Sequence, residues 1–241
     1  MRIIMKHDHI CRRILVFAVG LLVISLSIGF ITKASLGTPP ISSIPYSLSL
    51  IFPSLSLGNF TIIYSLLLVF LQLVILGKQA DKVSLGLQFV ISFVFGYFID
   101  FGMMLLGDFS PEIYWERIVC VLIGCFGLAF GVYLQIVADF TMVPGDGFAY
   151  ALSVRIKRKP YRVVRVCSDV SMIVIAAIIG YIGMGTTGGV REGTVICALL
   201  IGTIAGVYFS KLAWLTKRLF PDGPENAAIS GSGSDGAGTG N

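Results

Sequence analysis

Charged residues are scarce in this sequence of 241 residues. Asp, Glu, Lys and Arg make up 13% of the chain, and hydrophobic residues make up 56%. Soluble domains usually carry about 25% charged residues. An apolar excess this large cannot be buried in the core of a soluble protein of this length. The composition therefore argues against most soluble enzymes and binding domains and predicts a membrane protein.

Histidine and cysteine offer no sign of a metal site or a disulfide framework. His7 and His9 both lie near the N-terminus, and the five cysteines, an odd number, form no CxxC pair. Most of these cysteines sit in or beside apolar runs, as small buried hydrophobic residues do. We expect no metal ion and no cofactor. The sequence also has no Ser/His/Asp set and no paired acidic motif, so an enzyme with catalytic residues is not expected.

Long apolar runs are what the chain has in abundance. About 20 apolar residues in a helix cross the roughly 30 Å of hydrocarbon in a bilayer. Six runs meet this requirement: 14–32, 59–77, 84–106, 118–137, 168–185 and 194–214. They predict an all-α polytopic membrane protein with about six transmembrane helices.

Lysine and arginine indicate the orientation of these helices. With the N-terminus inside, 15 of the 18 basic residues fall on the cytoplasmic side, so both termini are predicted to be cytoplasmic. The densest basic cluster is expected to fix the topology and to contact anionic lipids rather than nucleic acid. Its residues are Arg155, Lys157, Arg158, Lys159, Arg162 and Arg165.

A stretch of 44 residues, 34–77, contains no charge at all. As one helix it would be about 66 Å long, twice the bilayer thickness. Prolines interrupt its first part, so residues 40–52 are predicted to form a re-entrant or broken half-helix. The alternative is eight spans, with extra ones at 34–52 and 140–156. Six spans are preferred because both extra segments are short and broken.

The two halves of the chain resemble each other when shifted by 104 residues. Residues 34–40 fall on residues 138–144, and Tyr46 falls on Tyr150. Each half then consists of a span, a broken segment and two further spans. Because three spans are an odd number, the second half is predicted to lie in the membrane in the opposite orientation to the first. This is the plan of inverted-repeat secondary transporters. The identity is low, so coincidence is the alternative.

This organisation predicts five regions. Residues 1–13 form a cytoplasmic basic N-terminus, residues 14–107 a first membrane repeat, and residues 108–117 an external loop. Residues 118–220 form a second membrane repeat, and residues 221–241 form a flexible, Gly/Ser-rich cytoplasmic tail.

The candidate site lies at two elbows, defined as residues 34–40 and 138–144. A helix that begins at an elbow presents free N–H groups and a partial positive charge. Thr38, Ser42 or Ser43 is expected to cap the first such helix, with Pro40 near its start, and Asp146 is expected to cap one that begins near Gly147. The alternative is two tight turns at the membrane surface. The substrate-binding candidates are Thr38, Pro40, Ser42, Asp100, Pro144, Asp146, Gly193 and Thr194.

Several acidic residues lie in or beside the predicted spans. Asp100 is expected to be a proton or cation site or a partner of Lys33, or else to reach the outer interface. Asp139 and Asp169 are expected to pair with arginines of the basic cluster. Gly193 and Thr194 predict the start of the last span, where contact with an anion is the further hypothesis.

Three short motifs resemble a known family. The sequences Leu-Gly-Thr-Pro-Pro at 36–40, Val-Pro-Gly-Asp-Gly at 143–147 and Gly-Thr at 193–194 are similar to motifs of the YczE/YyaS/YitT-like bacterial membrane proteins. No soluble C-terminal domain of the YitT type follows them, so the YczE branch fits better. The resemblance implies a multi-pass protein of the bacterial inner membrane.

The first functional hypothesis is a transporter or exporter of an unidentified small solute, working by alternating access. One alternative is an accessory or regulatory component of a partner complex that transports nothing. Another is a membrane enzyme that modifies lipids. Membrane lipids are the partners expected in every case.

Overall fold

A computed structural model describes residues 10–156, 160–212 and 214–216. Of the predicted basic cluster, Lys157, Arg158 and Lys159 lie outside the described residues. The predicted tail at 221–241 lies outside them as well.

The described residues form eight α-helices and one 3-10 turn, at Gly77–Gln79. The helices are α1 (Ile10–Lys33), α2 (Pro40–Ile51), α3 (Leu57–Leu76), α4 (Lys82–Leu106), α5 (Tyr114–Ala138), α6 (Pro144–Ile156), α7 (Tyr161–Met184) and α8 (Glu192–Lys211).

Six of these helices are long and apolar enough to cross a membrane: α1, α3, α4, α5, α7 and α8. This agrees with the predicted number of spans. Helices α2 and α6 have 12 and 13 residues, and at 1.5 Å per residue they reach only about 18–20 Å. Neither crosses about 30 Å of hydrocarbon, which favours six spans over eight.

Contacts at the helix ends show that the long helices alternate in the direction in which they cross the bundle. The Arg13 guanidinium donates a hydrogen bond to the Ala138 carbonyl at 2.8 Å, so the start of α1 and the end of α5 share one end of the bundle. The Lys33 ammonium donates to the Gly107 carbonyl at 2.5 Å, so α1 and α4 finish together at the opposite end. Both contacts agree with the alternation expected from the sequence.

Helix α7 begins earlier than the sequence predicted. The apolar run begins at residue 168, but the helix begins at Tyr161. Arg162 and Arg165 make this segment too polar for a membrane run, yet arginine is a good helix former. The first turns of α7 are therefore charged, and Asp169 lies inside the helix instead of at its end.

Glycines allow close contact between α1 and α5. A Cβ atom on Gly20 would lie 3.0 Å from the Gly131 carbonyl oxygen, and Gly124 and Gly127 face Ile31 and Ser27 of α1. Small residues at such contacts let membrane helices approach closely, and van der Waals packing then holds them together. The pair α1–α5 is accordingly central to the larger apolar core, which includes Phe17, Ile28 and Val121.

Gly131→Ala tests this contact. The added methyl group would lie 2.8 Å from the Gly20 carbonyl oxygen, so we expect a loss of roughly 1–3 kcal/mol of stability. Gly202→Ala on α8 is the matched control, because its Cβ would meet nothing within 4 Å. Unfolding of both variants in detergent micelles by sodium dodecyl sulfate measures the difference. Equal unfolding midpoints would contradict the close α1–α5 contact.

Candidate functional site at the two elbows

The first elbow folds onto the start of α8. The Thr38 backbone N–H donates to the Thr194 hydroxyl at 3.2 Å, and the Gly193 N–H donates to the Leu36 carbonyl at 2.7 Å. Gly37 between them has φ +122°, a left-handed conformation that glycine adopts readily. Thr38 and Thr194 are fully buried. The predicted helix start near Gly193 and Thr194 is confirmed, since α8 begins at Glu192.

Helix α2 begins at Pro40, as predicted, but its cap differs from the prediction. Pro39 occupies the N-cap position and no side chain caps the helix, so the predicted caps Thr38, Ser42 and Ser43 are wrong. The Ser43 hydroxyl instead donates to the Pro39 carbonyl at 3.1 Å. Two consecutive prolines fill the N-cap and first helical positions, and a proline at N1 needs no N–H partner. The three hydroxyl residues are nevertheless buried beside this helix start.

The second elbow is followed by a helix that begins before the predicted residue. Helix α6 starts at Pro144, not near Gly147, because proline is favoured at the first helical position. Asp146 therefore lies within the first turn, and its predicted role as the cap is wrong. Its carboxylate instead forms an ion pair with Arg165 of α7 at 2.5 Å.

Two buried glutamines hold the start of α6. The Gln72 side-chain amide donates to the Pro144 carbonyl at 3.1 Å and to the Gln88 side-chain oxygen at 3.0 Å. Sequence reasoning missed both glutamines because a single neutral amide hardly lowers the hydropathy of an apolar run. Their position inside predicted spans was the signal, since a buried polar group in a membrane requires a partner.

The first turns of α2 and α6 meet inside the bundle. A side chain at Gly145 would collide with the Ile41 side chain, so these second residues of the two helices are in direct contact. Ile41 and Phe148 both pack against a second apolar cluster that contains Leu68 and Met172. Leu68 and Met172 lie near the middle of α3 and α7, so the first turns of the two short helices meet inside the bundle, between the ends of the long helices.

The two short helices run from this meeting point towards opposite ends of α7. Ile51, at the end of α2, packs against Gly183 near the end of α7. Arg155, at the end of α6, lies five residues before Pro160, after which α7 begins. The two helices are therefore arranged N-terminus to N-terminus.

Asp100 and Asp139 have other partners than the sequence suggested. The Asp100 carboxylate accepts hydrogen bonds from the Ser56 hydroxyl at 2.5 Å and from the Gly58 N–H at 2.8 Å. Asp100 therefore accepts one N–H of the first turn of α3 and the hydroxyl of its N-cap residue. Asp139 faces Arg13 at 4.0 Å and not an arginine of the basic cluster. Burial raises the pKa of the Asp139 carboxyl, and Arg13 opposes this shift.

Three buried hydroxyls near the short helices lack a hydrogen-bond partner among the described residues. They belong to Ser47 of α2, Thr141 of the second elbow and Ser168 of α7. Most buried polar atoms in proteins are paired, so unpaired ones require an explanation.

Six helices of membrane-spanning length, with two short helices between them, define a multi-pass membrane protein. The chain belongs to DUF6198, a family of unknown function, whose sequence profile matches residues 11–210. No curated protein and no solved structure matches the chain. The resemblance to YczE-like proteins stays a prediction.

Thr194→Val tests the closure of the first elbow. The Thr194 hydroxyl accepts the Thr38 N–H at 3.2 Å and the Arg191 N–H at 3.4 Å. Valine keeps the shape but leaves these donors unpaired, so we expect a loss of about 1–3 kcal/mol in stability. Thr194→Ser keeps the hydroxyl and is expected to lose clearly less. Unfolding in detergent measures both variants, and equal losses would show that the hydroxyl does not hold the elbow.

Proposed function

We propose that this protein transports a small solute across the bacterial inner membrane, with both termini in the cytoplasm. In this proposal α2 and α6 are re-entrant half-helices of two inverted repeats. The observation that carries it is the contact between Ile41 and Gly145, because it joins the first turns of both short helices inside the bundle, between the ends of the long helices.

The packing of the helices supports the inverted repeat. The exchange of α1 with α5, α2 with α6, α3 with α7 and α4 with α8 relates the two halves. Under this exchange most of the extensive contacts between helices correspond to one another. The pair α1–α4 becomes α5–α8, α2–α3 becomes α6–α7, and α2–α7 becomes α6–α3. The pair α1–α5 maps onto itself and lies on the axis of the exchange. Among the described residues, the contact of α3 with α4 has no equally extensive α7–α8 counterpart.

The chemistry at the meeting point suits a polar solute. The first turn of a helix carries N–H groups without intrahelical partners and the positive end of the helix dipole. Two such ends meet here, next to the buried hydroxyls of Thr38, Ser42 and Ser43. Broken helices at this depth are tolerated where protein or a water-filled cavity surrounds them. Transporters use the same arrangement to hold anionic groups of their substrates.

The packing also supports alternating access. Each short helix packs against long helices of the other repeat, α2 against α7 and α6 against α3. A rocking motion of one repeat against the other would change the contact between the elbows. The solute site would then open first to one side of the membrane and then to the other.

A binding screen followed by flux measurement tests the proposal. Purified protein is screened by thermal stabilisation against amino acids, carboxylates, sugars and quaternary amines, and each stabilising solute is then assayed in proteoliposomes. We expect saturable uptake of at least one of them. Gly145→Ala, which pushes Ile41 away, should lower uptake roughly tenfold, as expected for a change of about 1.4 kcal/mol.

Two controls make this result specific. Adding Ile41→Ala to Gly145→Ala restores the space at the contact and should recover uptake, while Gly202→Ala should leave uptake unchanged. Uptake that is insensitive to Gly145→Ala would contradict the proposed site. A complete screen in which no stabilising solute is transported would contradict the transport function and favour an accessory role.

A further inference from the structure

One face of α7 carries a group of polar residues at the level of the second elbow. Tyr161, Arg165 and Asp169 follow one another at four-residue spacing, which places them on the same side of the helix. The Arg165 guanidinium donates to the Tyr161 hydroxyl at 3.3 Å and pairs with Asp146 of α6 at 2.5 Å. The group therefore links α7 to the first turn of α6.

Asp169 lies in the third turn of α7, one residue after the start of its apolar run. It is eight residues from the start of α7, a distance of about 12 Å along the axis. The neighbouring Ser168 is 4% exposed and its hydroxyl has no partner among the described residues. A carboxyl group that is held in a membrane helix requires a counter-charge, a hydrogen-bond donor or a proton.

Among the described residues, Asp169 takes part in no ion pair. Two carboxylates, Asp146 and Asp169, interact with Arg165, which lies within ion-pair distance of Asp146. Arg162, seven residues before Asp169 on α7, pairs with neither carboxylate. Helix α3 adds the phenol of Tyr64 near Asp169, and α2 carries only Tyr46 as a titratable residue. On α6, Arg155 sits at the far end of the helix. Among the described residues, the Asp169 carboxyl group is therefore left without an ion-pair partner.

We propose that Asp146, Arg165 and Asp169 form a proton-binding site, in which Asp169 carries the proton while Arg165 pairs with Asp146. Loss of the proton to water leaves Asp169 ionised, and it then competes with Asp146 for Arg165. This competition weakens the attachment of the first turn of α6 to α7. The proton thus controls the position of the second elbow.

The consequence for transport rests on the function proposed above. If α6 moves during the transport cycle, the proton on Asp169 is the coupling ion of that cycle. The proton-binding site itself does not depend on transport, so the two are tested by different measurements.

Infrared spectroscopy of the purified full chain tests proton binding without any substrate. A protonated carboxyl group has a C=O band that an ionised carboxylate lacks. We expect the wild-type protein to show one such band at neutral pH, and Asp169→Asn to lose it. Asp146→Asn should lose it too, because Arg165 is then free to pair with an ionised Asp169. Asp108→Asn, in an exposed loop, is the control that keeps the band.

Several outcomes would overturn the proposal. The band would be absent at neutral pH if both carboxylates stay ionised, or it would persist in Asp169→Asn if another group carries the proton. A band that is present in choline chloride and vanishes in sodium chloride would assign the site to Na⁺ instead. Helical circular dichroism and gel filtration identify any variant that fails to fold, and Asp146→Asn then provides the independent test.

Coupling is tested in the proteoliposomes with a solute from the screen described above. An imposed pH gradient should accelerate uptake by the wild-type protein but not by Asp169→Asn. Uptake that ignores the gradient, together with a positive infrared result, would refute the coupling and leave the proton site intact. Absence of any uptake would refute the proposed function alone.

Discussion

Hydrocarbon supplies no hydrogen bonds, and this constraint governs the two short helices more than any other part of the chain. Their first turns meet among the long helices, where each backbone N–H and C=O needs a partner from the protein. Proline at the starts of α2 and α6 removes one N–H donor from each. Thr194 accepts the N–H of Thr38, and Gln72 donates to the Pro144 carbonyl. The polar residues inside the bundle therefore have a structural purpose before any functional one.

The two elbows differ in the chemical groups that hold them in place. The first elbow contains no charged residue, and residues at the start of α8 hold it: the Thr194 hydroxyl, the Gly193 N–H and the Arg191 guanidinium, which donates to the Ser35 carbonyl at 3.0 Å. At the second elbow Gln72 donates to the Pro144 carbonyl, and Asp146 just after the elbow pairs with Arg165. A charged pair changes its strength when a neighbouring carboxyl gains or loses a proton. The second elbow is thus the one suited to regulated movement.

Sequence reasoning located the long helices and the start of α2, because apolar length and a proline pair are strong local signals. It misplaced the beginning of α7, since Arg162 and Arg165 make a helical segment look like a loop. It also expected Asp146 to cap α6, when the preceding Pro144 already begins that helix. Pairings across the bundle, such as Asp100 with Ser56, depend on how distant helices pack. A hydropathy pattern contains no information about such contacts.

The central claim is that the first turns of α2 and α6 touch, and disulfide cross-linking tests it directly. In a background without the five native cysteines, Ile41→Cys combined with Gly145→Cys should cross-link rapidly under mild oxidation in membranes. Leu50→Cys with Gly145→Cys is the control, because Leu50 lies nine residues further along α2, about 14 Å away along the helix axis. Cross-linking of the first pair alone is the expected result. Failure of that pair, or equal cross-linking of both pairs, would contradict the meeting of the two short helices.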